Sequence, residues 1–405
     1  MSDPAPADSS TPRGPLGELA LLFLKLGCIA FGGPAAHIAM LEDEVVERRK
    51  WLTRQHFLDL VGATNLIPGP NSTEMTMHVG YGRAGPAGLF VAGACFIVPA
   101  VLLTGVLGWL YTMYGTLPEV EPFLYGIKPA VLAIILGALW KLGKKAVTGW
   151  RLAVLSVAVA AAVLGGLGEV WALLAGGLVG GLWQMLSGQK SDTAERMLPI
   201  LFLQPGGGMA ASAGAATAVA SGAAVAVSLP KLFWFFLKVG SVLYGSGYVL
   251  VAFLEGGLVD DYGWMTQGQL LDAIAIGQFT PGPVLSTATF IGVLVGSAVD
   301  APIAGGLLAT LGIFLPSFLF VWILNPLIPR LRKSARLSAL LDAVNASAVA
   351  LMAAVTIGLG LDTLVSWPAW GIALLSAVAV LRFKVSAVWL VVGGALMGWA
   401  LSPWA

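Results

Sequence analysis

Of the 405 residues, 58% are hydrophobic and only 11% are charged, less than half the share of about 25% usual in soluble domains. So few charges cannot cover a soluble globule of this size, and a mean hydropathy of +0.87 agrees, which excludes a cytosolic enzyme with solvated loops. The near balance of 22 basic against 21 acidic residues leaves no field to steer a polyanion, so nucleic acid is excluded as a partner.

The composition predicts an all-α polytopic membrane protein with the lipid bilayer as its surroundings. Its 52 glycines suit close helix packing. Residues 1–15 are polar and Pro-rich, which predicts a disordered tail rather than a cleavable signal peptide. Apolar stretches follow at 16–40, 57–79, 84–114, 123–142, 152–167 and 170–186. A polar, Gly-rich tract and a weakly apolar Ala/Ser/Val stretch at 210–228 come next, read as a linker or as one extra crossing. Apolar stretches resume at 232–254, 270–299, 303–328, 337–361, 364–381 and 385–401. The organisation is therefore a first transmembrane repeat at 16–187, a connection at 188–229 and a second repeat at 230–405. Cys28 and Cys95 lie in separate apolar stretches and predict no disulfide.

The halves match residue by residue. An offset of 213 aligns residues 23–70 with 236–283 without a gap, and 16 of the 48 positions are identical. Among them are Lys25/Lys238, Gly32/Gly245, Glu42/Glu255, Trp51/Trp264, Asp59/Asp272 and the triplets Pro68-Gly69-Pro70 and Pro281-Gly282-Pro283. Further on, an offset of 217 pairs Pro99 with Pro316 and Lys128 with Asn345. Composition alone does not place charges, tryptophans and prolines in register, so the chain reads as a duplication.

Charge then orients the copies. The loop holding Arg48, Arg49, Lys50 and Arg54 has a counterpart holding Asp260 and Asp261. The acidic loop 116–121 faces Arg330, Arg332, Lys333 and Arg336 in the other copy. Lys141, Lys144 and Lys145 answer to the region near Asp362, and Glu169 answers to Arg382 and Lys384. Every paired loop swaps sign, which predicts two inverted-topology repeats. Two apolar stretches separate the basic 48–54 loop from the acidic 116–121 loop, yet the chain changes side. One of them must be re-entrant or broken, and the one containing NLIPGPN, like its twin GQFTPGPV, is interrupted.

Those breaks are the candidate site. Pro70 and Pro283 suit the start of half-helices whose free N–H groups and dipoles attract anions. Asn65, Gly69, Asn71, Ser72 and Thr73 in one copy, and Gln278, Gly282, Ser286 and Thr287 in the other, surround these starts. The glycine clusters FGGP (Gly32, Gly33) and YGSG (Gly245) occupy equivalent places and suit either tight backbone approach or a second broken helix in each copy. Lys25 and Lys238 lie within apolar helices, where a lysine costs about 2.5–3.5 kcal/mol. They are expected either to neutralise a divalent anion or to pair with acids such as Glu42 and Glu255. Glu74, just past the first Pro-Gly-Pro, is a proton-coupling candidate or a partner for Arg83. His37, His56 and His78 share no metal-ligand spacing, no nucleophile–base pair stands out, and neither a cofactor nor an enzymatic activity is expected.

FGGP, EDEVVERRKWLT, NLIPGP, GQFTPGP and the inverted duplication together resemble the chromate transporter (CHR) family in its long, two-repeat form, over nearly the whole chain from Leu16. The resemblance implies export of chromate across the bacterial inner membrane and chromate resistance, with sulfate as a chemically similar oxyanion. YGSG departs from FGGP, so the copies need not contribute equally. A carrier for sulfate or another small anion, and an anion channel, are the alternatives. The glycine-rich faces are compatible with a homodimer.

Overall fold

In hydrocarbon every backbone amide needs a partner within the protein, and this chain supplies it with helices. The computed structural model describes residues 14–186, 225–244, 247–325 and 335–401, and among them there is no strand. The expected N-terminal tail up to residue 13, the extra crossing up to residue 224, Gly245 and the basic loop at 330–334 lie outside the described residues. The last residues of that stretch, 225–228, are non-helical.

The first half comprises α1 (Pro15–Ile29), α2 (Gly33–Glu42) extended by a π-helical turn (Asp43–Arg48), α3 (Arg54–Thr64), α4 (Asn71–Tyr114), α5 (Glu121–Ala146), α6 (Trp150–Leu164) and α7 (Glu169–Leu186). The second comprises α8 (Leu229–Val242), a 3-10 turn (Gly247–Val249), α9 (Leu250–Leu254), a π-helical turn (Glu255–Asp261) and α10 (Gln267–Phe279). It continues with a 3-10 turn (Val284–Ser286), α11 (Thr287–Ser297), α12 (Pro302–Leu324), α13 (Ala335–Thr363), α14 (Trp367–Arg382) and α15 (Ala387–Leu401).

Local chemistry repeats between the halves. Thr53 caps α3 by accepting from the His56 N–H, and Thr266 caps α10 by accepting from the Gln269 N–H. These threonines are 213 apart, as are the ends of the two π-helical turns. α1 and α3 have 15 and 11 residues, short of the roughly 20 that one crossing needs. α4, α5, α7, α12 and Leu337–Thr363 of α13 are long and apolar enough to cross.

α4 is two arms. Ala84 and Gly85 leave helical geometry, and Gly80 packs against Gly88. In a straight helix those two would stand about 12 Å apart, so the chain reverses at the kink. Gly292 and Gly305 make the same approach between α11 and α12.

Contacts at the reversal fix where the hairpins open. The Arg83 guanidinium lies over the Trp51 ring, 5.1 Å from its centroid, and donates to Glu18 at 3.3 Å. The start of α1, the loop before α3 and the reversal in α4 therefore share one end of the bundle. α1–α2 and α3 with the first arm of α4 each run inward to a break and return to the end they left. The second arm, residues 86–114, then crosses over about 43 Å at 1.5 Å per residue. At the far end Tyr125, Gln267, Asp362 and Thr363 line one cavity. Glu169 packs against Gly256 there, and the Trp264 indole donates to the Val225 carbonyl at 2.6 Å.

The halves embrace. α5 packs against α14 and α15 of the second half, and α13 packs against α6 and α7 of the first. Gly177 and Gly181 lie against Val344 and Leu340 of α13, and Gly126 lies against Gly394 and Gly398. Trp171, Leu178, Leu374 and Trp389 project outward, as a lipid-facing surface requires.

Candidate functional site: two crossed helix breaks

Each Pro-Gly-Pro segment ends a short helix and caps the next. Pro70 precedes Asn71, the first residue of α4, and Pro283 precedes the turn leading into α11. Both segments are buried. Their backbone is secured from the opposite half. The Gly69 N–H donates to the Leu243 carbonyl at 2.8 Å, and the Gly282 N–H donates to the Ala30 carbonyl at 2.9 Å. Leu243 and Ala30 are paired by the 213 offset, as are the glycines. Each half thus inserts its Pro-Gly-Pro break against the other half's first break.

Gly69 and Gly282 hold φ of +144° and +91°, conformations that favour glycine. A Cβ on Gly69 would strike Glu74 Oε1 and Ser317 Oγ, whereas one on Gly282 would lie 2.9 Å from Ala100 Cβ. Ser317 and Ala100 are themselves 217 apart. The two crossings share a backbone plan but differ in side-chain polarity: the first is lined by an acid and a hydroxyl, the second by the Ala100 methyl and the backbone carbonyls of Gly27 and Phe96.

Thr73 and Ser286, also 213 apart, are buried in the first turns after the two breaks. Neither side-chain oxygen has a hydrogen-bond partner among the described residues. Ser72 is buried beside Thr73. By helix geometry the N–H groups of Asn71, Ser72 and Thr73 lack partners one turn back, as do those of Val284 and Leu285 in the turn before α11, whereas the Ser286 and Thr287 N–H groups donate to the Pro283 and Val284 carbonyls. Thr287 is spent locally, donating to the Val284 carbonyl at 2.8 Å.

Other expected residues are distributed around the breaks. Asn71 donates to Asn65 at 2.9 Å at a more exposed point. Gln278, the twin of Asn65, instead accepts from Tyr248 OH at 3.3 Å, and that hydroxyl lies over Gly33. Gly32 and Gly33 have positive φ and turn the chain between α1 and α2.

The lysines stand apart from the buried crossings. Lys25 is 54% exposed and donates to Glu44 at 2.9 Å, with Arg48 and Arg49 also on that carboxylate. Lys238 is exposed, its ammonium 5.5 Å from the Phe235 ring. The structure thus gives Lys25 an acid partner, and Glu44, rather than Glu42 or Glu255, is that acid. Arg83 likewise pairs with Glu18 and not with Glu74.

Several further groups stand outside the set that the sequence proposes for the site. Ser317 sits beside Pro316, whose pairing with Pro99 marks the spot. Tyr244, the twin of Phe31, lies within the field of Glu74. His78 Nδ1 meets Asn325 Oδ1 at 3.3 Å. Asp272, also buried, accepts from Tyr111 at 2.8 Å, whereas its twin Asp59 lies near the surface and accepts from Gln55.

Irregular, buried backbone flanked by half-helices defines a class: a multi-pass helical membrane protein with the broken-helix plan common among transporters. The chain belongs to the chromate transporter family, whose family model, described as "Chromate transporter", matches residues 17–181 and 230–399. It is 31% identical over 416 residues to the chromate transport protein of Cupriavidus metallidurans, covering 100% of this chain and 99% of the relative. It is 31% identical over 398 residues to the chromate transport protein of Pseudomonas aeruginosa, covering 95% and 92%. A probable chromate transport protein of Synechococcus elongatus is 30% identical over 377 residues, covering 91% and 90%. No solved structure matches the chain.

Proposed function

We propose that this protein exports chromate across the bacterial inner membrane and so confers chromate resistance. The observation that carries the reading is the reciprocal pair of hydrogen bonds, Gly69 to Leu243 and Gly282 to Ala30, which sets two helix starts across the boundary between the halves. Chromate is a tetrahedral dianion and needs several donors. The free N–H groups at the start of α4 and at the start of the turn leading into α11, with Ser72, Thr73 and Ser286, supply them, and both helix dipoles favour negative charge there.

The halves work as inverted repeats that rock about this crossing to expose it to one side and then the other. Three contacts support the inversion. Arg83 on Trp51 marks one end, the second arm of α4 runs away from it, and Trp264 lies at the end where Glu169 meets Gly256. Equivalent tryptophans therefore stand at opposite ends. The acidic Glu169, Asp260 and Asp362 are gathered round Glu255 at the Trp264 end, which the charge pattern assigns to the outside. An inside-negative potential then favours outward movement of a dianion, by about 2.3 kcal/mol per charge per 100 mV.

Sulfate shares the shape and charge of chromate and is the second substrate to examine. The test is chromate accumulation in cells with and without the protein. Lower accumulation and higher tolerance in expressing cells support export, and equal accumulation contradicts it. Flux that fails to saturate would favour a channel.

A further inference from the structure

We infer that the transported anion binds together with a proton, which is held by Glu74 at the first Pro-Gly-Pro break. This rests on the reading of the two helix starts as the anion site. Glu74 lies in the first turn of α4, with 0% of its surface exposed and neither carboxylate oxygen partnered among the described residues. Gly69 and Ser317 Oγ, also buried and unpartnered, lie against it. Charged acids are rarely buried without a cation or donors.

Among the described residues no such cation faces it. α11 and α12, which pack on α4, carry no titratable side chain. On α1, Glu18 is turned to Arg83 and Lys25 to Glu44. His37 of α2 is bonded to the Ala30 carbonyl, and Asp272 of α10 accepts from Tyr111. On α3, Arg54 pairs with Glu42 and Asp59 accepts from Gln55, while His56 is exposed at the helix start. Among the groups outside α4, Tyr244 feels the Glu74 charge. An ionised Glu74 would hold negative charge at the same helix start that is to receive a dianion. A protonated Glu74 removes that repulsion and offers one more O–H donor.

The break has a polar way in. His78 is one turn beyond Glu74 on α4, and Asn325 is two turns beyond Ser317 on α12. The Asn325 carbonyl oxygen can only accept, so His78 donates from Nδ1 and keeps its lone pair on Nε2, buried and unpartnered among the described residues. Glu74, Ser317, His78 and Asn325 thus form a seam from the break to the end of α12. The carboxylate takes one proton as the anion enters and returns it as the anion leaves, with no electron moved. A dianion leaving with one proton still carries one negative charge outward, so an inside-negative potential favours export. The second half has Thr287 in place of Glu74, so only one crossing titrates.

The test uses the full chain in liposomes with the membrane potential clamped, an internal pH dye and a chromate gradient. About one proton is expected to accompany each chromate in the wild type, and E74Q is expected to abolish that accompanying movement. E74Q is also expected to flatten the pH profile of chromate flux relative to wild type, with chromate's own protonation common to both. H78L is expected to slow proton-linked flux about tenfold or more. Chromate flux in the wild type without proton movement overturns the inference alone and needs no variant. Protons that still accompany chromate in E74Q also overturn it. Absence of chromate, sulfate and carboxylate flux alike in the wild type overturns the transport reading and the inference with it.

Discussion

The Gly282 amide donates to the Ala30 carbonyl at 2.9 Å, and the same bond is made by the equivalent atoms of Gly69 and Leu243 at 2.8 Å. A hydrogen bond that recurs between symmetry-paired positions of opposite halves joins the two breaks of one half to those of the other. It also satisfies backbone groups that the prolines and glycines have released from helices, in a place where water is scarce.

The glycines of this crossing should differ in tolerance. Gly69→Ala forces a side chain into a left-handed backbone, at about 1–2 kcal/mol, and drives its methyl into Glu74 and Ser317. Gly282→Ala also needs a left-handed backbone but meets the Ala100 methyl at 2.9 Å and the Gly27 carbonyl oxygen at 3.3 Å, looser contacts than those at Gly69. Thermal unfolding in detergent should show Gly69→Ala to be the less stable of the two. Equal melting temperatures would mean that the first crossing is not the more crowded.

A second pair tests how closely the half-helices approach. A Cβ on Gly27 would strike the Phe96 carbonyl oxygen, and one on Gly240 would strike that of Ile313, the 217 twin of Phe96. Backbone cannot move aside as a side chain can, so Gly27→Val and Gly240→Val should each cost several-fold in folded yield. Yields near wild type in both would contradict the packing of α1 on α4 and of α8 on α12.

The Lys25–Glu44 pair should be lopsided. Lys25 is half exposed, and removing one exposed partner costs about 0–1 kcal/mol. Glu44 is 9% exposed at its side chain and holds Lys25, Arg48 and Arg49 together. Glu44→Ala should therefore lower the melting temperature more than Lys25→Ala. Loss of chromate flux in folded Lys25→Ala, with flux kept in Glu44→Ala, would return Lys25 to the anion site.

Topology is open to labelling. In a chain with Cys28 and Cys95 replaced by Ala, single cysteines at Arg54 and Gln267 should react with an impermeant maleimide from opposite sides of the membrane. Reaction from the same side would contradict the inversion.

Much of this plan is legible in the sequence because it lies in elements that symmetry repeats. Pro68-Gly69-Pro70 and its twin announce themselves by spacing, and the change of side between the basic loop at 48–54 and the acidic loop at 116–121 requires a broken or re-entrant stretch before any geometry is known. What spacing could not show is which atoms face each other across the halves. Ser317 is an ordinary serine in an apolar helix until α12 is laid against Gly69. The lysines mislead for a related reason. Lys25 reads as an intramembrane charge because it is surrounded by apolar residues in sequence, but it lies on the outer face of α1, and the π-helical turn after α2 brings Glu44 to it.

The crossed breaks, read as a site for a tetrahedral oxyanion, are put to the test by chromate flux into liposomes holding the purified protein, comparing wild type with Thr73→Val and Ser286→Ala. Wild type should give saturable flux, competed by sulfate, and each variant an affinity at least about tenfold weaker, the loss of one charge-assisted hydrogen bond. Saturable flux with unchanged affinity in both variants would contradict that reading.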